Sequence, residues 1–123
     1  MTLRFLEIRT YRVVPGQRDR LHALMTDVAP MLARYGITVV DHGPSVANDE
    51  GPQHYYLMRA FRSLAEREDL ERAFYGSAEW REQWREDVLA CIEDYHTVVV
   101  DAGPEVIAGL TRSRQLTGSV DRG

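Results

Sequence analysis

The sequence contains no lysine, and all 15 of its basic residues are arginine. Without lysine the chain cannot form a lysine Schiff base with a carbonyl substrate or with pyridoxal phosphate. It also cannot supply the lysine with which a P-loop holds nucleotide phosphates. Both kinds of lysine-dependent chemistry are therefore excluded.

Cysteine is nearly absent as well. Cys91 stands alone, so the chain can form no internal disulfide and offers no cysteine cluster for zinc or iron–sulfur binding. Its apolar neighbours Val88, Leu89 and Ile92 favour a buried structural thiol over a nucleophile. No pair of histidines has the spacing of a helical metal motif.

Long hydrophobic runs and an excess of positive charge are also missing. No apolar run approaches the roughly 20 residues that cross a bilayer, and the first residues lack the pattern of a secretory signal. We therefore expect a cytoplasmic protein without membrane contact. The net charge of −4 argues against a nucleic-acid partner. Because no glycine-rich dinucleotide fingerprint is present, we expect no organic cofactor.

The hydrophobic pattern predicts four strands and two principal helices. Alternation of β-branched and aromatic residues predicts strands over residues 3–14, 37–42, 53–61 and 95–101, the last of them buried. Apolar residues at three- and four-residue intervals predict an amphipathic helix from residue 17 to Gly36. Pro30 lacks a backbone donor, so we expect this helix to kink or break near Val28.

A capping box marks the start of the second helix. Ser63 is followed three residues later by Glu66, a spacing that satisfies two backbone donors at a helix start and predicts a helix from Leu64. The helix should halt near Gly76 and resume with Ser77 as a second cap. The charged run over residues 62–72 is typical of a solvated helix face.

The order βαββαβ predicts an α+β, ferredoxin-like fold, with helices on one face of an antiparallel sheet. Residues 1–110 are long enough for one domain. Residues 111–123 are polar and small, and we expect a flexible C-terminal tail there. The other sheet face needs a cover, which predicts a homodimer through the sheet faces.

Several segments resemble one known family. The string Glu7-Ile8-Arg9-Thr10-Tyr11, followed by Val14-Pro15-Gly16, is similar to the opening strand and turn of NIPSNAP-family domains. Later segments resemble the family's landmarks in the same order: Pro30-Met31-Leu32, Tyr35-Gly36-Ile37, Ser63-Leu64-Ala65-Glu66-Arg67 and Phe74-Tyr75-Gly76-Ser77-Ala78-Glu79-Trp80. The resemblance implies a dimeric α/β-barrel fold, also found in small antibiotic-biosynthesis monooxygenases. It implies no particular reaction, because this fold hosts oxygenases, cyclases and simple binding proteins.

One row of the first strand carries candidate ligand-binding groups. We expect the small molecule to lie between helices and sheet or inside the barrel. Inside a dimeric barrel, Glu7, Arg9 and Tyr11 would share a cavity-facing row. Two interpretations stay open for them. A Glu7–Arg9 pair or a cross-strand network would satisfy the buried charges and fix the register. Alternatively, Arg9 anchors an anionic or carbonyl ligand with Tyr11 as a donor.

Aromatic residues supply further candidates for the cavity wall. In the third strand we expect the matching row to consist of Tyr55, Leu57, Arg59 and Phe61. Trp80 and Trp84 lie four residues apart on one helical face. They are either core or dimer contacts, or the wall of a pocket for an aromatic ligand.

Histidines are the candidates for proton transfer, because their ordinary pKa lies near neutrality. We expect His42 and His54 to approach each other across the hairpin. Each is either a general acid or base at the cavity mouth or a structural residue, and His96 has the same two interpretations. His22 falls on the polar side of the first helix, which predicts a solvated residue.

Together these features predict a cofactor-independent enzyme that acts on a small aromatic or polyketide-like molecule by cyclisation, proton transfer or oxygenation. A histidine or Tyr11 would move protons while Arg9 holds an oxyanion. The alternative is a non-catalytic binding or adaptor homodimer in which the same polar row serves structure alone.

Overall fold

A computed structural model describes residues 2–49, 51 and 53–111. It contains the strands β1 (Phe5–Val13), β2 (Thr38–Pro44), β3 (His54–Phe61) and β4 (Ile92–Asp101). The helices are α1 (Arg18–Arg34), α2 (Leu64–Tyr75), α3 (Arg85–Leu89) and α4 (residues 104–111), and a π-helical turn, Trp80–Trp84, directly precedes α3. The predicted α+β, ferredoxin-like βαββαβ fold is confirmed, with α4 added after β4.

The sheet has the strand order β2-β3-β1-β4, and all neighbouring strands are antiparallel. Across β1 and β3, Glu7 lies opposite Arg59 and Tyr11 lies opposite Tyr55. Because side chains alternate along a strand, the two rows predicted from the sequence lie on the same face of the sheet.

The helices cover this face. Leu21, Met25 and Phe74 from α1 and α2 form one core cluster with Leu57 and Phe61 of β3. The polar row containing Glu7 and Arg9 therefore faces the helices of its own chain. The expectation that it lines the inside of a two-sheet barrel was wrong, because the apolar stripe of α1 packs on the odd-numbered side of β1.

The opposite face of the sheet is partly covered by α4. Ile107 is 2% exposed and packs against Leu6, Val40 and Ala60. Beyond this cover, the sheet edge is open: Val98 and Val100 of β4 are 56% and 41% exposed. Within the described residues the prediction of a buried fourth strand was wrong, since β4 is an edge strand of this sheet and has β1 as its neighbour.

The helix signals were mostly correct. Ser63 Oγ accepts a hydrogen bond from the Glu66 backbone N–H at 3.0 Å, and Ser77 Oγ accepts one from the Trp80 N–H at 3.2 Å. Both predicted caps are confirmed. The expected break near Val28 does not form, because α1 continues through Pro30 with Val28 and the residues that follow Pro30 buried in the core.

The chain ends are only partly described. Thr111 is helical and is the last described residue, and the rest of the predicted tail, residues 112–123, lies outside the described residues. Among the described helices, none combines the length and apolar character needed to span a membrane.

Candidate functional site

A cavity of about 380 Å³ lies between the helix-facing side of the sheet and the helices. This volume is within the range of about 300–1,000 Å³ that is usual for small-molecule sites. Most of the wall is apolar or aromatic: Met25, Val28, Leu32, Leu57, Phe74, Trp80, Val88, Leu89 and Ile92. The polar lining residues are Arg9, Tyr11, Tyr75, Arg85 and Tyr95. Of these wall residues, Arg85, Leu89 and Tyr95 are exposed, so they mark the open end.

Arg9 is held in the cavity wall by neutral partners. Its Nε donates to Thr97 Oγ1 at 2.9 Å and one terminal nitrogen donates to the Tyr75 hydroxyl at 3.2 Å. The guanidinium carbon lies 4.7 Å from the centroid of the Tyr95 ring, a cation–π contact. In the described part of the chain, no carboxylate forms a salt bridge with Arg9. Burial lowers the pKa of Arg9, but Tyr75, Tyr11 and Glu7 raise it above the usual value, so the group stays charged.

Tyr11 reaches the cavity beside Arg9 and is 5% exposed. Burial raises the pKa of its hydroxyl well above the ordinary value, and Tyr75 adds to this effect. The phenol is therefore protonated at neutral pH. It can donate a hydrogen bond to a ligand oxygen, but it is a poor base.

A buried ionic network adjoins Arg9. Glu7 and Arg59 are both 0% exposed, and Arg59 Nε donates to Glu7 Oε1 at 2.6 Å. Arg67 of α2 donates to the other Glu7 oxygen at 2.7 Å. Arg59 also donates to the Tyr75 hydroxyl at 2.8 Å, which connects the network to the cavity wall. Glu7 thus pairs with Arg59 and Arg67 rather than with Arg9, and neither Glu7 nor Arg59 lines the cavity.

The pKa values of Glu7 and Glu71 shift in opposite directions within this network. Burial acts to raise the pKa of Glu7, but a hydrogen bond from Glu71, the charge of Arg59 and a hydrogen bond from Arg67 lower it to about 2. For Glu71, burial and the hydrogen bond to Glu7 raise the pKa to about 7. At neutral pH the pair therefore carries between one and two negative charges against the two arginines.

The histidines lie away from the cavity. The register places His42 opposite Leu57 and His54 opposite Arg12, and by alternation these two side chains lie on opposite faces of the sheet. The predicted approach of His42 and His54 across the hairpin was therefore wrong. His96 is exposed and pairs with Thr10 on the face that turns away from α1.

His42 instead shares a buried tyrosine with His22. The Nδ1 atoms of His22 and His42 each lie 2.7 Å from the Tyr55 hydroxyl, and the two imidazole rings are 5.9 Å apart. Tyr55 is 0% exposed and is not part of the cavity wall. The solvated role expected for His22 was wrong. The available signal was its position beside Leu21, at the border of the apolar stripe.

The aromatic candidates also divide into residues that line the cavity and residues that do not. Trp80 is 8% exposed, lines the cavity, and its ring lies 5.3 Å from the ring of Tyr75. Trp84 packs against the core but not in the cavity wall. Its buried indole nitrogen has no hydrogen-bond partner among the described residues. Phe61 is fully buried in the core and does not reach the cavity either.

Three residues of the cavity wall and the adjoining network, Tyr75, Arg67 and Glu71, were not predicted as site residues from the sequence, and the last two were assigned to a solvated helix face. Tyr75 appeared only within a family landmark, although an aromatic residue at the end of an amphipathic helix is a candidate for the wall of a pocket. No group of three or more histidine, cysteine, aspartate or glutamate residues in the described segments is arranged to hold a metal ion.

Comparison with known proteins gives a family match. The model of the NIPSNAP family matches residues 6–100. Among curated proteins, none matches the chain. Three solved structures illustrate the similarity of the fold. A NIPSNAP family protein of unknown function from Agrobacterium tumefaciens is 20% identical, with a TM-score of 0.67 over 81% of this chain and 88% of that one.

The other two structures differ in the name they carry. An uncharacterised NIPSNAP domain protein from Burkholderia xenovorans is 14% identical, with a TM-score of 0.66, covering 80% of this chain and 94% of that one. A protein from Bordetella bronchiseptica, named as a candidate antibiotic biosynthesis monooxygenase, is 24% identical, with a TM-score of 0.64, covering 84% and 99% of the two chains. At these identities the likeness concerns the fold alone.

Proposed function

The chain belongs to the NIPSNAP family, and from that premise we propose that it is a small-molecule enzyme that needs no organic cofactor. Its substrate is an aromatic or polyketide-like compound that binds in the cavity between sheet and helices. The reaction is a cyclisation, a proton transfer or an oxygenation. The name of the Bordetella bronchiseptica structure agrees with the last of these at the level of the shared fold.

The observation that carries the proposal is the cation of Arg9 in an otherwise apolar and aromatic wall. Removing a guanidinium from water is costly unless an opposite charge or several hydrogen bonds compensate it. Here Arg9 has two hydroxyl partners and an aromatic ring, but no described carboxylate forms a salt bridge with it. A ligand oxygen that bears negative charge would complete this environment.

The lining residues suggest how such an enzyme would work. Arg9 and the protonated Tyr11 are donors that can stabilise an oxyanion as it develops on the substrate, which is the most effective electrostatic contribution to many reactions. Neither an imidazole nor a carboxylate is part of the described wall. The substrate would therefore have to be acidic enough to lose its proton to solvent once Arg9 stabilises the resulting anion.

The lack of an imidazole or a carboxylate in the described wall favours a second candidate function. Without a general base in the cavity wall, the chain would hold the compound unchanged, as a non-catalytic binding or adaptor protein. In that case Arg9 and Tyr11 contribute affinity and no rate acceleration. The two candidates differ only in whether the bound compound is converted.

In both cases we propose a homodimer that associates through the uncovered part of the sheet. Val98 and Val100 expose apolar surface on β4, and Ile8 and Met58 beside them are only partly buried. Covering such a patch is favourable, at about 25 cal/mol for each Å² removed from water. Because the cavity lies on the other side of the sheet, each protomer keeps its own binding site.

The decisive experiment uses the small molecules of the native host. Purified protein is incubated with a cell extract, and the compounds are followed by mass spectrometry against an Arg9→Ala control. A compound that disappears while a product appears, only with the wild-type protein, supports the enzyme. A compound that is retained on the protein unchanged supports the binding protein. An extract in which no compound is retained or converted contradicts both.

A further inference from the structure

We propose that the cavity ligand carries an oxyanion, on a carboxylate, enolate or phenolate group attached to an aromatic framework, and that the Tyr75 hydroxyl donates to this oxyanion beside Arg9. This inference rests on the proposed function, since it assigns a ligand class to the same cavity. It also assigns a role to Tyr75, which neither the family match nor the related structures supply.

The ring of Tyr75 is fixed in place. Tyr75 is the last residue of α2, and its ring makes edge-to-face contacts with Phe74 at 4.8 Å and with Trp80 at 5.3 Å between centroids. Such contacts define the orientation of an aromatic ring in a core. The phenol oxygen is therefore held at one point of the cavity wall without a ligand.

The hydrogen bonds of Tyr75 determine where its proton points. The oxygen accepts one N–H from Arg59 at 2.8 Å and one from Arg9 at 3.2 Å. Guanidinium groups only donate, and a phenol oxygen has two lone pairs and one proton. Both lone pairs are thus directed at the arginines. The proton has no acceptor among the described residues, and the side chain lines the cavity, so a ligand oxygen is its natural partner.

The charges around Tyr75 favour an anion over a neutral ligand. Arg59 and Arg67 have Glu7 and Glu71 as ion-pair partners in the buried network. Arg9 is the cation that this network leaves without a carboxylate in contact. Arg85 at the exposed end of the cavity adds a second positive charge to its wall. An anionic oxygen between Arg9 and Tyr75 would receive two charge-assisted donors, which form the stronger class of hydrogen bonds.

Two probes of the same shape test the inference. The affinities of 2-naphthoate and of its neutral amide, 2-naphthamide, are measured by isothermal titration calorimetry at neutral pH. We expect the wild-type protein to bind the anion at least about 10-fold more tightly, since hydrogen bonds to a charged acceptor are stronger than those to a neutral amide. The Tyr75→Phe variant should lose about 10-fold of this preference. The matched control is Tyr35→Phe, which removes a hydroxyl from a ring that packs on Phe74 outside the cavity wall.

A second variant keeps the test decisive if Tyr75→Phe fails to fold. Arg9→Gln removes the charge but retains a side chain that can donate to Thr97, and it should also lose the preference for the anion. Equal affinities of the wild-type protein for the two probes would overturn the oxyanion inference and leave the cavity proposal intact. An unchanged preference in Tyr75→Phe would overturn the role of Tyr75. Binding of neither probe to folded protein would count against the cavity and the inference together.

Discussion

Glu7 and Arg59 lie directly opposite each other on neighbouring strands, and Arg59 Nε donates to Glu7 Oε1 at 2.6 Å although both side chains are fully buried. A buried pair of this kind is compensated only if the remaining donors and acceptors are also satisfied. Arg67 donates to the second Glu7 oxygen and the Tyr75 hydroxyl accepts from Arg59, whereas Arg59 Nη2 makes ion-pair contacts but no hydrogen bond of good geometry within the described residues. The pair therefore links the centre of the sheet to α2 and to the cavity wall.

Removal of the Glu7 charge should destabilise the fold strongly. In Glu7→Gln, Arg59 and Arg67 lose the buried carboxylate that accepts hydrogen bonds from both, and Glu71 remains as their ion-pair partner. Loss of one partner of a buried pair costs about 3–5 kcal/mol. The measurement is the free energy of unfolding from urea titration, with Glu68→Gln on the exposed side of α2 as the control. A cost similar to that of the control would mean that the pair is not essential to the fold.

The opposite pKa shifts of Glu7 and Glu71 predict an unusual dependence of stability on pH. The pair keeps one proton between its pKa values of about 2 and about 7, whereas each carboxyl of the unfolded chain has the ordinary value of 4.5. Between pH 4.5 and about 7 the folded protein holds more protons, so rising pH lowers the free energy of unfolding. Between pH 4.5 and about 2 the unfolded chain holds more, so falling pH also lowers it.

The variant Glu71→Gln isolates the upper part of this dependence. Its amide can still donate to Glu7 but does not titrate. The wild-type protein should lose on the order of 2–3 kcal/mol more stability than the variant between about pH 5 and about pH 8. Thermal unfolding of both proteins at these two pH values provides the comparison, with Glu68→Gln following the wild type. Parallel curves for wild type and Glu71→Gln would show that Glu71 is already ionised at the lower pH.

The sequence predicted the secondary structure better than it predicted the residues of the buried ionic network. The strands and both serine caps follow from local patterns, namely alternation and the spacing of Ser63 to Glu66. These patterns involve residues that are close in sequence, so they do not depend on how distant segments pack. The charged residues of α2 were assigned to solvent because they are charged. Yet Arg67 and Glu71 fall at positions i and i+4 of a stripe that continues to Phe74, and this stripe faces the sheet. The spacing of Arg67 and Glu71 therefore predicts the orientation of their side chains better than their charge does.

Contacts between distant segments could not be predicted from spacing. The meeting of His22 and His42 at Tyr55 depends on how α1 crosses the sheet, and the link from Arg9 to Tyr75 depends on where α2 ends over β1. The face on which the helices pack decided whether the row of β1 points into a cavity of its own chain or toward a partner. Hydrophobic periodicity left that choice open, because both faces of β1 carry apolar residues.

The exposed apolar residues of β4 predict the surface through which two copies of the chain associate. Val98→Arg introduces a charge into the exposed patch of β4, and we expect the proposed dimer to dissociate because the guanidinium would have to be buried without a partner. Val46 is fully exposed in the loop after β2, and Val46→Arg is the matched control that should remain dimeric. Light scattering after gel filtration gives the mass in solution. A dimeric Val98→Arg protein, or a monomeric wild type, would contradict the proposed interface.

Arg9 should matter for ligand binding and not for association. In Arg9→Ala the affinity for 2-naphthoate should fall about 10- to 100-fold, as expected for charge-assisted hydrogen bonds, while the dimer persists because Arg9 lies on the helix-facing side. The control is Arg72→Ala, whose side chain is 75% exposed on α2. Wild-type affinity in Arg9→Ala would remove its anchoring role. A monomeric Arg9→Ala protein would contradict the placement of Arg9 away from the proposed dimer interface.

Native mass spectrometry of the protein purified from its own host examines the ligand and the dimer together, because it reports the mass of the assembly and of any compound bound to it. We expect a dimer that carries a small organic molecule in each protomer, and a much lower occupancy of that molecule in the Arg9→Ala variant prepared in the same way. A wild-type protein that shows only the mass of its own polypeptide, under conditions in which the folded assembly survives, would contradict this expectation.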